Sequence, residues 1–111
     1  MAFDVQSALE RARVPGFRSA YRAGEDEELP DPYAVYALRQ EPEDIWDDTP
    51  HAIRYGLTLN LLSRGNLLEI ARQVIEELLA EGFQLQAAED AYADDADLYV
   101  LAMEFQGVSP L

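Results

Sequence analysis

Two hydrophobic periods meet in the middle of the chain, between residues 53 and 82. Over residues 53–61 every second side chain is apolar, which is the pattern of a strand with one buried face. After a short polar turn, apolar side chains recur every three or four positions and predict an amphipathic helix over residues 67–81. Its apolar positions are Leu67, Leu68, Ala71, Val74, Ile75, Leu78 and Leu79. Asn66 occupies the expected N-cap and Gly82 the expected left-handed C-terminal cap, so this unit predicts the centre of the core.

Weaker periodic patterns on both sides predict five more elements. They are a helix over residues 4–13 and strands over residues 17–22, 33–39, 83–87 and 99–105. Three acidic segments, residues 23–32, 40–52 and 89–97, are predicted to be solvated loops, and residues 107–111 a tail. Because only the helix over residues 67–81 offers a parallel crossover, antiparallel pairings should predominate. The order α-β-β-β-α-β-β predicts one α+β domain over residues 1–111, with a mainly antiparallel sheet of four to five strands and two helices packed on one face.

The composition agrees with a domain that can fold without disulfide bonds. The chain has 111 residues, 49% of them hydrophobic, which is enough to bury a core. It contains no cysteine, so disulfides and thiolate chemistry are excluded. No apolar run approaches the roughly 18 residues of a membrane span, and the N-terminus lacks the pattern of a signal peptide. We therefore expect a soluble protein with no membrane partner.

The charge balance is the unusual feature of the composition. There are 22 acidic residues against eight basic ones, all of them arginine, and the net charge is −14. Direct binding of nucleic acid is disfavoured, because phosphate contacts need a cationic surface. Fifteen of the acids fall within residues 25–48 and 89–97. If these segments project to one side, they form a negative face that repels DNA; otherwise they serve solubility.

Candidate catalytic groups are few. His51 is the only histidine, and Asp47 or Asp48 could orient it as a general base, although a surface histidine is the simpler interpretation. The sequence lacks a serine–histidine–aspartate signature, a glycine-rich phosphate loop and a dinucleotide fingerprint. These patterns indicate that the protein is not an enzyme and uses no cofactor.

One carboxylate cluster has the composition of a hard-cation site. Asp90, Asp94, Asp95 and Asp97 lie within eight residues, and Ca²⁺ takes several oxygen ligands from a short loop. The spacing does not fit a calcium loop, which needs a central glycine and a glutamate at the twelfth position. A solvated hairpin tip is therefore favoured, and no metal is predicted.

The remaining candidates are interface residues. Trp46 stands in a polar segment, where it either folds back onto the core or is presented to a partner. Ile70 lies on the shoulder of the apolar helix stripe, where core packing competes with a second apolar edge. The interface candidates are Trp46, Asp47, Asp48, Ile70 and Tyr92.

The order of elements and residue types over residues 30–106 resembles the small tail completion proteins of long-tailed bacteriophages, also called tail terminators. The resemblance is carried by Pro-Tyr-Ala-Val-Tyr at residues 32–36 after an N-terminal helix, and by a segment with Asp47 and Asp48 leading into Ile-Arg-Tyr-Gly-Leu-Thr-Leu at residues 53–59. The amphipathic helix, Gly82-Phe83, an acidic turn and the run over residues 98–105 follow in the same order.

This resemblance implies a non-enzymatic building block that assembles as a hexameric ring. The ring closes the head-proximal end of the tail tube, so the implied partners are copies of the chain, the tail tube protein and a head-completion or neck protein. DNA would cross the ring without specific binding, and the location would be the virion. The segment over residues 40–52 with Trp46 is the implied contact between subunits or with the tube.

Three other functions remain open at this level. The first is another neck component, such as a head-completion or stopper protein. The second is an acidic protein that mimics DNA and occupies a nucleic-acid-binding partner, for which the charge is suitable. The third is a small hydrolase using His51 with a nearby aspartate, for which no nucleophile or oxyanion donors can be named.

Overall fold

The helices and strands follow one another in the predicted order. The structure, a computed structural model, describes residues 3–18, 30–93 and 97–110. Its elements are α1 (Val5–Arg11), β1 (Gly16–Arg18), β2 (Tyr33–Trp46), β3 (Thr49–Ser63), α2 (Leu67–Ala80), β4 (Gln84–Ala93) and β5 (Leu98–Pro110). The predicted α+β class and the order α-β-β-β-α-β-β are confirmed.

The five strands form one sheet in the order β1-β2-β3-β5-β4. Three of its four pairings are antiparallel, as predicted, and β1 pairs with β2 in parallel. Helix α2 makes the expected parallel crossover, but between strands that are not neighbours, whereas the adjacent parallel pair is β1 with β2. Helix α2 does connect β3 to β4, but β5 is inserted between these two strands and pairs antiparallel with both. The strands joined by the helix are therefore not neighbours.

The core lies between the sheet and the two helices, which cover the same face. Leu57, Leu59 and Leu61 of β3 alternate toward the helices, as their period predicts, and are almost fully buried. Leu59 stands at the centre, between Tyr36 of β2 and Met103 of β5. The helices supply buried side chains that include Leu9, Val74 and Leu78. Burial of such side chains contributes roughly 1.5–3 kcal/mol each before conformational entropy is counted.

The helix ends carry the caps that the sequence predicts. Asp4 accepts hydrogen bonds from the Ser7 backbone N–H at 3.1 Å and the Ser7 hydroxyl at 2.9 Å. The backbone hydrogen bond, followed by the side-chain one, lowers the pKa of Asp4 below its ordinary value. Asn66 accepts from the Leu68 N–H at 2.9 Å, and Gly82 has a φ of 107°, which confirms the predicted C-terminal cap.

One carboxylate joins the two helices. Glu81, just after α2, accepts a hydrogen bond from the Asp4 backbone N–H at 2.9 Å and another from Arg11 Nη2 at 2.8 Å. Arg11 Nε also donates to Glu77 at 2.6 Å. The bond from Asp4 and then that from Arg11 lower the pKa of Glu81. The start of α1 is thereby tied to the end of α2.

The prediction of a loop over residues 40–52 is wrong, because these residues continue the β2–β3 hairpin. Trp46 pairs with Thr49 across a two-residue turn formed by Asp47 and Asp48. Both turn residues have positive φ, 53° and 57°, as a mirror-image hairpin turn requires and as aspartate tolerates. Residues 40–52 extend beyond the core, so neither face of this segment has to be apolar. The segment can therefore be acidic and contain prolines.

This hairpin extends beyond its neighbouring strands. Strand β1 pairs with β2 only as far as Tyr36, and β5 ends at Pro110, opposite Ala52. Residues 43–52 therefore form a two-stranded ribbon, which we call the hairpin arm. Strand β3 runs the full length of the molecule, whose longest dimension is 52 Å.

The other two acidic segments and the tail also differ from their predictions. Strand β4 continues to Ala93, so the predicted loop over residues 89–97 is mostly strand; residues 94–96 lie outside the described residues. Strand β5 continues to Pro110, where a tail was expected. Of the segment over residues 17–32, residues 19–29 lie outside the described residues, and only Gly16–Arg18 is assigned as the predicted strand.

The turns of the two acidic windows lie at opposite ends of the sheet. The turn at Asp47 and Asp48 is at one end, whereas Tyr92 is aligned through Tyr99 with Ser63 at the other end of β3. From Thr49 to Ser63 there are 14 steps along the strand, or roughly 46 Å. These two turns therefore do not project together to one end of the molecule.

Candidate functional site

The tip of the hairpin arm presents large apolar side chains to solvent. Ile45 and Trp46 are each 57% exposed, and the turn residues Asp47 and Asp48 follow directly. Because neighbouring strand residues point to opposite faces, Ile45 and Trp46 lie on opposite faces of the ribbon. Both side chains lie beyond the core, on the part of the hairpin that no helix covers. An exposed aromatic flanked by charged residues is typical of an interface anchor.

His51 lies beneath Trp46. The two rings stack with their centroids 3.7 Å apart and their planes within 6°. The His51 Nε2 atom is buried and has no hydrogen-bond partner within the described residues. Neither Asp47 nor Asp48 is hydrogen-bonded to the imidazole in the described part of the chain, so the arrangement expected of a general base is not formed there. His51 instead supports the indole, and it is half-buried where a surface histidine was expected.

The sheet face opposite the helices carries charged side chains that pair with one another. Arg54 forms an ion pair with Glu43, and Arg39 Nε lies 3.1 Å from Glu41. A depression of about 190 Å³ lies among them on this face. Its lining is mostly polar and includes Arg39, Glu41, Arg54, Thr58, Glu104 and Gln106. The pair Arg54–Glu43 joins β3 to β2, whereas Arg39 and Glu41 lie on the same strand, and the residues around the depression do not form a catalytic set.

A larger groove of about 720 Å³ lies at the other end of the molecule. Its two walls are the beginning of α2 and the outer strands β4 and β5. The helix wall carries Leu67, Leu68 and Ala71, and the strand wall carries Ala88, Asp90, Ala91, Tyr99, Val100 and Leu101. Leu68 is 80% exposed and Tyr99 is 49% exposed. Arg64 lines the groove just before the helix. The groove is mainly apolar, which suits another protein's side chain.

The predicted interface residues fall into three places. Trp46, Asp47 and Asp48 lie together at the arm tip. Tyr92 is 47% exposed at the opposite end, where it contacts Tyr99 at a centroid distance of 4.9 Å and donates a hydrogen bond to Asp97. That hydrogen bond raises the pKa of Tyr92. Ile70 is half-buried and packs against the core, which agrees with core packing as the competing interpretation.

The groove was missed at the sequence level because its leucines were counted as core. The predicted helix stripe included Leu68 and Leu79, yet both are exposed. Only the narrower set Ala71, Val74 and Leu78 is buried. The seven predicted apolar positions form a stripe wider than the part of the helix that the sheet covers. The extra apolar positions were the sequence signal for an exposed apolar surface on α2.

Two other expectations concern metals and membranes. Asp90 and Asp97 belong to no group of three or more metal-ligating side chains within the described residues, while Asp94 and Asp95 lie outside them. Neither α1 nor α2 has the length and apolar character needed to cross a bilayer.

The fold itself occurs in a solved virus-like particle, although family models and curated protein sequences give no match to this chain. A chain from the virion of a native gene transfer agent particle superposes with a TM-score of 0.56 and 11% identity, over 98% of this chain and 86% of that chain. This chain shares the fold of that virion chain. A second solved chain, known by a sequence identifier, superposes with a TM-score of 0.55 and 11% identity, over 97% of this chain and 87% of that one. The similarity extends over the whole described sheet and both helices.

Proposed function

We propose that this chain is a structural virion protein that completes the tail of a phage-like particle. Its copies form a ring, by resemblance a hexamer, at the head-proximal end of the tail tube. The ring stops growth of the tube and joins it to a head-completion or neck protein. DNA passes through without specific contacts, and the protein performs no reaction and holds no cofactor.

The observation that carries this proposal is the shared fold with a chain of a gene transfer agent virion, over nearly the full length of both chains. The element order of tail terminators over residues 30–106 supports the same role. The exposed arm tip and the apolar groove supply two surfaces for protein contacts, whereas His51 has neither a catalytic partner nor a cleft in the described structure. A net charge of −14 favours passage of DNA without adhesion.

Another neck position, that of a head-completion or stopper protein, is the nearest alternative, because the fold similarity supports both roles equally. The two differ in the partner that the ring contacts first. A tail terminator binds the end of an isolated tail tube, whereas a stopper binds filled heads. Binding of the purified protein to each of the two particles, measured separately, distinguishes them.

The DNA-mimic alternative depends on the net charge alone. The turns of the two acidic windows lie at opposite ends of the sheet, roughly 46 Å apart along β3, and the other described acids are spread over the helices and strands without a regular phosphate-like spacing. Competition between this protein and duplex DNA for a nuclease or repressor from the same source would favour the mimic.

The decisive experiment combines the purified protein with tail tubes assembled from the tube protein of the same virion. Negative-stain electron microscopy should show rings, free or seated on one end of each tube, and tube lengths should stop increasing when the protein is added. Monomers only, together with tubes that keep growing, would exclude the proposed function.

A further inference from the structure

The arm tip and the groove both expose large apolar side chains, and they lie at opposite ends of the described chain. The groove residue Ala88 is aligned through Met103 with Leu59, ten positions along β3 from Thr49 at the tip. Ten positions correspond to roughly 33 Å of strand. Because β3 is continuous and paired on both sides through most of its length, the tip cannot fold back into the groove of its own chain. Any contact between these surfaces joins two molecules.

The shapes of the two surfaces are complementary. The tip is a two-stranded ribbon with Ile45 on one face and Trp46 on the other. The groove has two facing walls, one from α2 with Leu68 and one from the strands with Tyr99, and encloses about 720 Å³. A ribbon seated between the walls would place one apolar side chain against each. Indole and phenol rings in such contacts favour offset or edge-to-face packing.

The charges at the groove are mixed, and one of them favours the tip. The Arg64 guanidinium lines the groove and forms no ion pair within the described residues, whereas four other arginines pair with glutamates. The turn carboxylates of Asp47 and Asp48 are the negative groups next to Trp46 and can reach such a cation when the tip is seated. Asp90, on the strand wall, opposes them. A tip entering the groove with its turn on the Arg64 side would therefore be favoured over one entering on the Asp90 side.

We propose that the arm tip of one copy occupies the groove of the next copy, with Trp46 and Ile45 between the two walls and the turn carboxylates at Arg64. The inference rests on the proposed function, because it specifies how the copies of the ring join. The contact uses two different surfaces, so every copy offers one free tip and one free groove. Head-to-tail contacts of this kind close into rings when the rotation between copies permits closure, and form filaments when it does not.

Cysteine cross-linking tests this contact directly, since the natural chain contains no cysteine. Thr49→Cys places a thiol at the exposed tip, and Ala88→Cys places one on the groove side of β4. Ala87→Cys is a matched control: it is the same residue type, also exposed, on the same strand, opposite Glu104 on the other face. Each tip variant is mixed with one strand variant and treated with a short bis-maleimide.

The Thr49→Cys and Ala88→Cys mixture should give at least about tenfold more heterodimer than the mixture with Ala87→Cys, because a seated tip raises the local thiol concentration. Adding Trp46→Ala to the tip variant should lower the heterodimer yield toward that of the control. The double variant Thr49→Cys/Ala88→Cys should give a ladder of covalent multimers, because the two thiols of one chain are too far apart to be bridged. Circular dichroism confirms that each variant is folded.

The outcomes separate this inference from the proposed function. Rings that form without preferential tip-to-groove cross-linking would overturn the inference and leave the tail-completion role intact. Equal yields from the Ala88→Cys and Ala87→Cys mixtures, in protein that neither assembles nor binds tail tubes, would overturn both.

Discussion

Glu81, the C-cap of α2, should contribute more to stability than any acidic residue within α2, because it accepts a backbone hydrogen bond from Asp4, the N-cap of α1. Its side chain is 12% exposed, and its two oxygens receive the Asp4 N–H and the Arg11 guanidinium. Replacement by alanine leaves the Asp4 N–H without its acceptor in a partly buried position. Glu81→Gln keeps an acceptor oxygen but removes the negative charge.

The size of the effect follows from the type of hydrogen bond. A bond to a charged acceptor contributes about 1.5–3 kcal/mol, and a neutral one about 1 kcal/mol. Glu81→Ala should therefore lower the free energy of unfolding by about 2 kcal/mol, and Glu81→Gln by about half as much. The ion pair with Arg11 adds little, since the guanidinium is exposed and screened by salt. Glu76, which is exposed on the same helix, provides the matched control, and Glu76→Ala should change stability by less than about 0.5 kcal/mol.

The effect should also depend on pH. The pKa of Glu81 in the folded protein lies below the ordinary value of 4.5, so the folded state favours the charged form. This stabilisation is fully present above the unfolded pKa and is lost as the pH falls through the folded pKa. The difference between the natural protein and Glu81→Ala should thus be constant near neutral pH and shrink in acid.

Urea unfolding followed by far-ultraviolet circular dichroism measures both effects. With a denaturant slope of about 1–3 kcal/mol per molar, a loss of about 2 kcal/mol moves the urea midpoint by about 0.7–2 M. Glu81→Ala and Glu76→Ala with the same midpoint at pH 7 would refute the assignment of Glu81 as the link between the helices. A difference that persists undiminished well below the folded pKa would refute the role of its charge.

Three further predictions concern the core, the tip and the charge. Leu59→Ala should lower the free energy of unfolding by about 2–5 kcal/mol, because it leaves a cavity at the centre of the sheet. Thr58→Ala, on the exposed face, should have little effect. Comparable losses for the two variants in urea titrations would argue against this burial pattern. Trp46→Ala should weaken self-association by about tenfold or more and leave the midpoint of thermal unfolding nearly unchanged. Sedimentation measures the association and circular dichroism the unfolding midpoint. Unaltered association would show that the tip is not an interface. Raising the salt concentration from about 0.1 M to 1 M should strengthen association. Copies with a net charge of −14 repel one another, and this repulsion is screened as the Debye length falls from about 10 Å to about 3 Å. Dissociation by salt in sedimentation runs would contradict this.

Strand β3 and helix α2 were predictable because apolar side chains occupy the buried face of each element and polar side chains the exposed face. The period of two over residues 53–61 and the period near 3.6 after Asn66 each follow from one face packing on a shared core. The same logic explains why the class and element order were correct. Strand order was less accessible, because the insertion of β5 between β3 and β4 depends on pairings between distant parts of the chain.

The hairpin arm could not be predicted from apolar alternation, because a ribbon outside the core has no buried face. The charges of residues 40–52 and their prolines, Pro42 and Pro50, are typical of a loop, and both prolines lie where the outer edge of their strand is unpaired in the described structure. One signal was available: an Asp-Asp pair between Trp46 and Thr49 suits a two-residue hairpin turn. The candidates Trp46, Asp47 and Asp48 are consecutive in the sequence and so had to lie together, whereas the groove required the positions of α2 and β4 in space.

The single tryptophan, which stacks on His51 at the end of the arm, is an intrinsic fluorescence probe of the hairpin arm. The chain has a single tryptophan, and it is located at the end of the arm. Tryptophan fluorescence will therefore report the surroundings of the arm and not the packing of the core. Seating of the tip in an apolar site should shift the emission to shorter wavelength and protect it from soluble quenchers. Assembly can thus be followed in solution in the unlabelled natural protein.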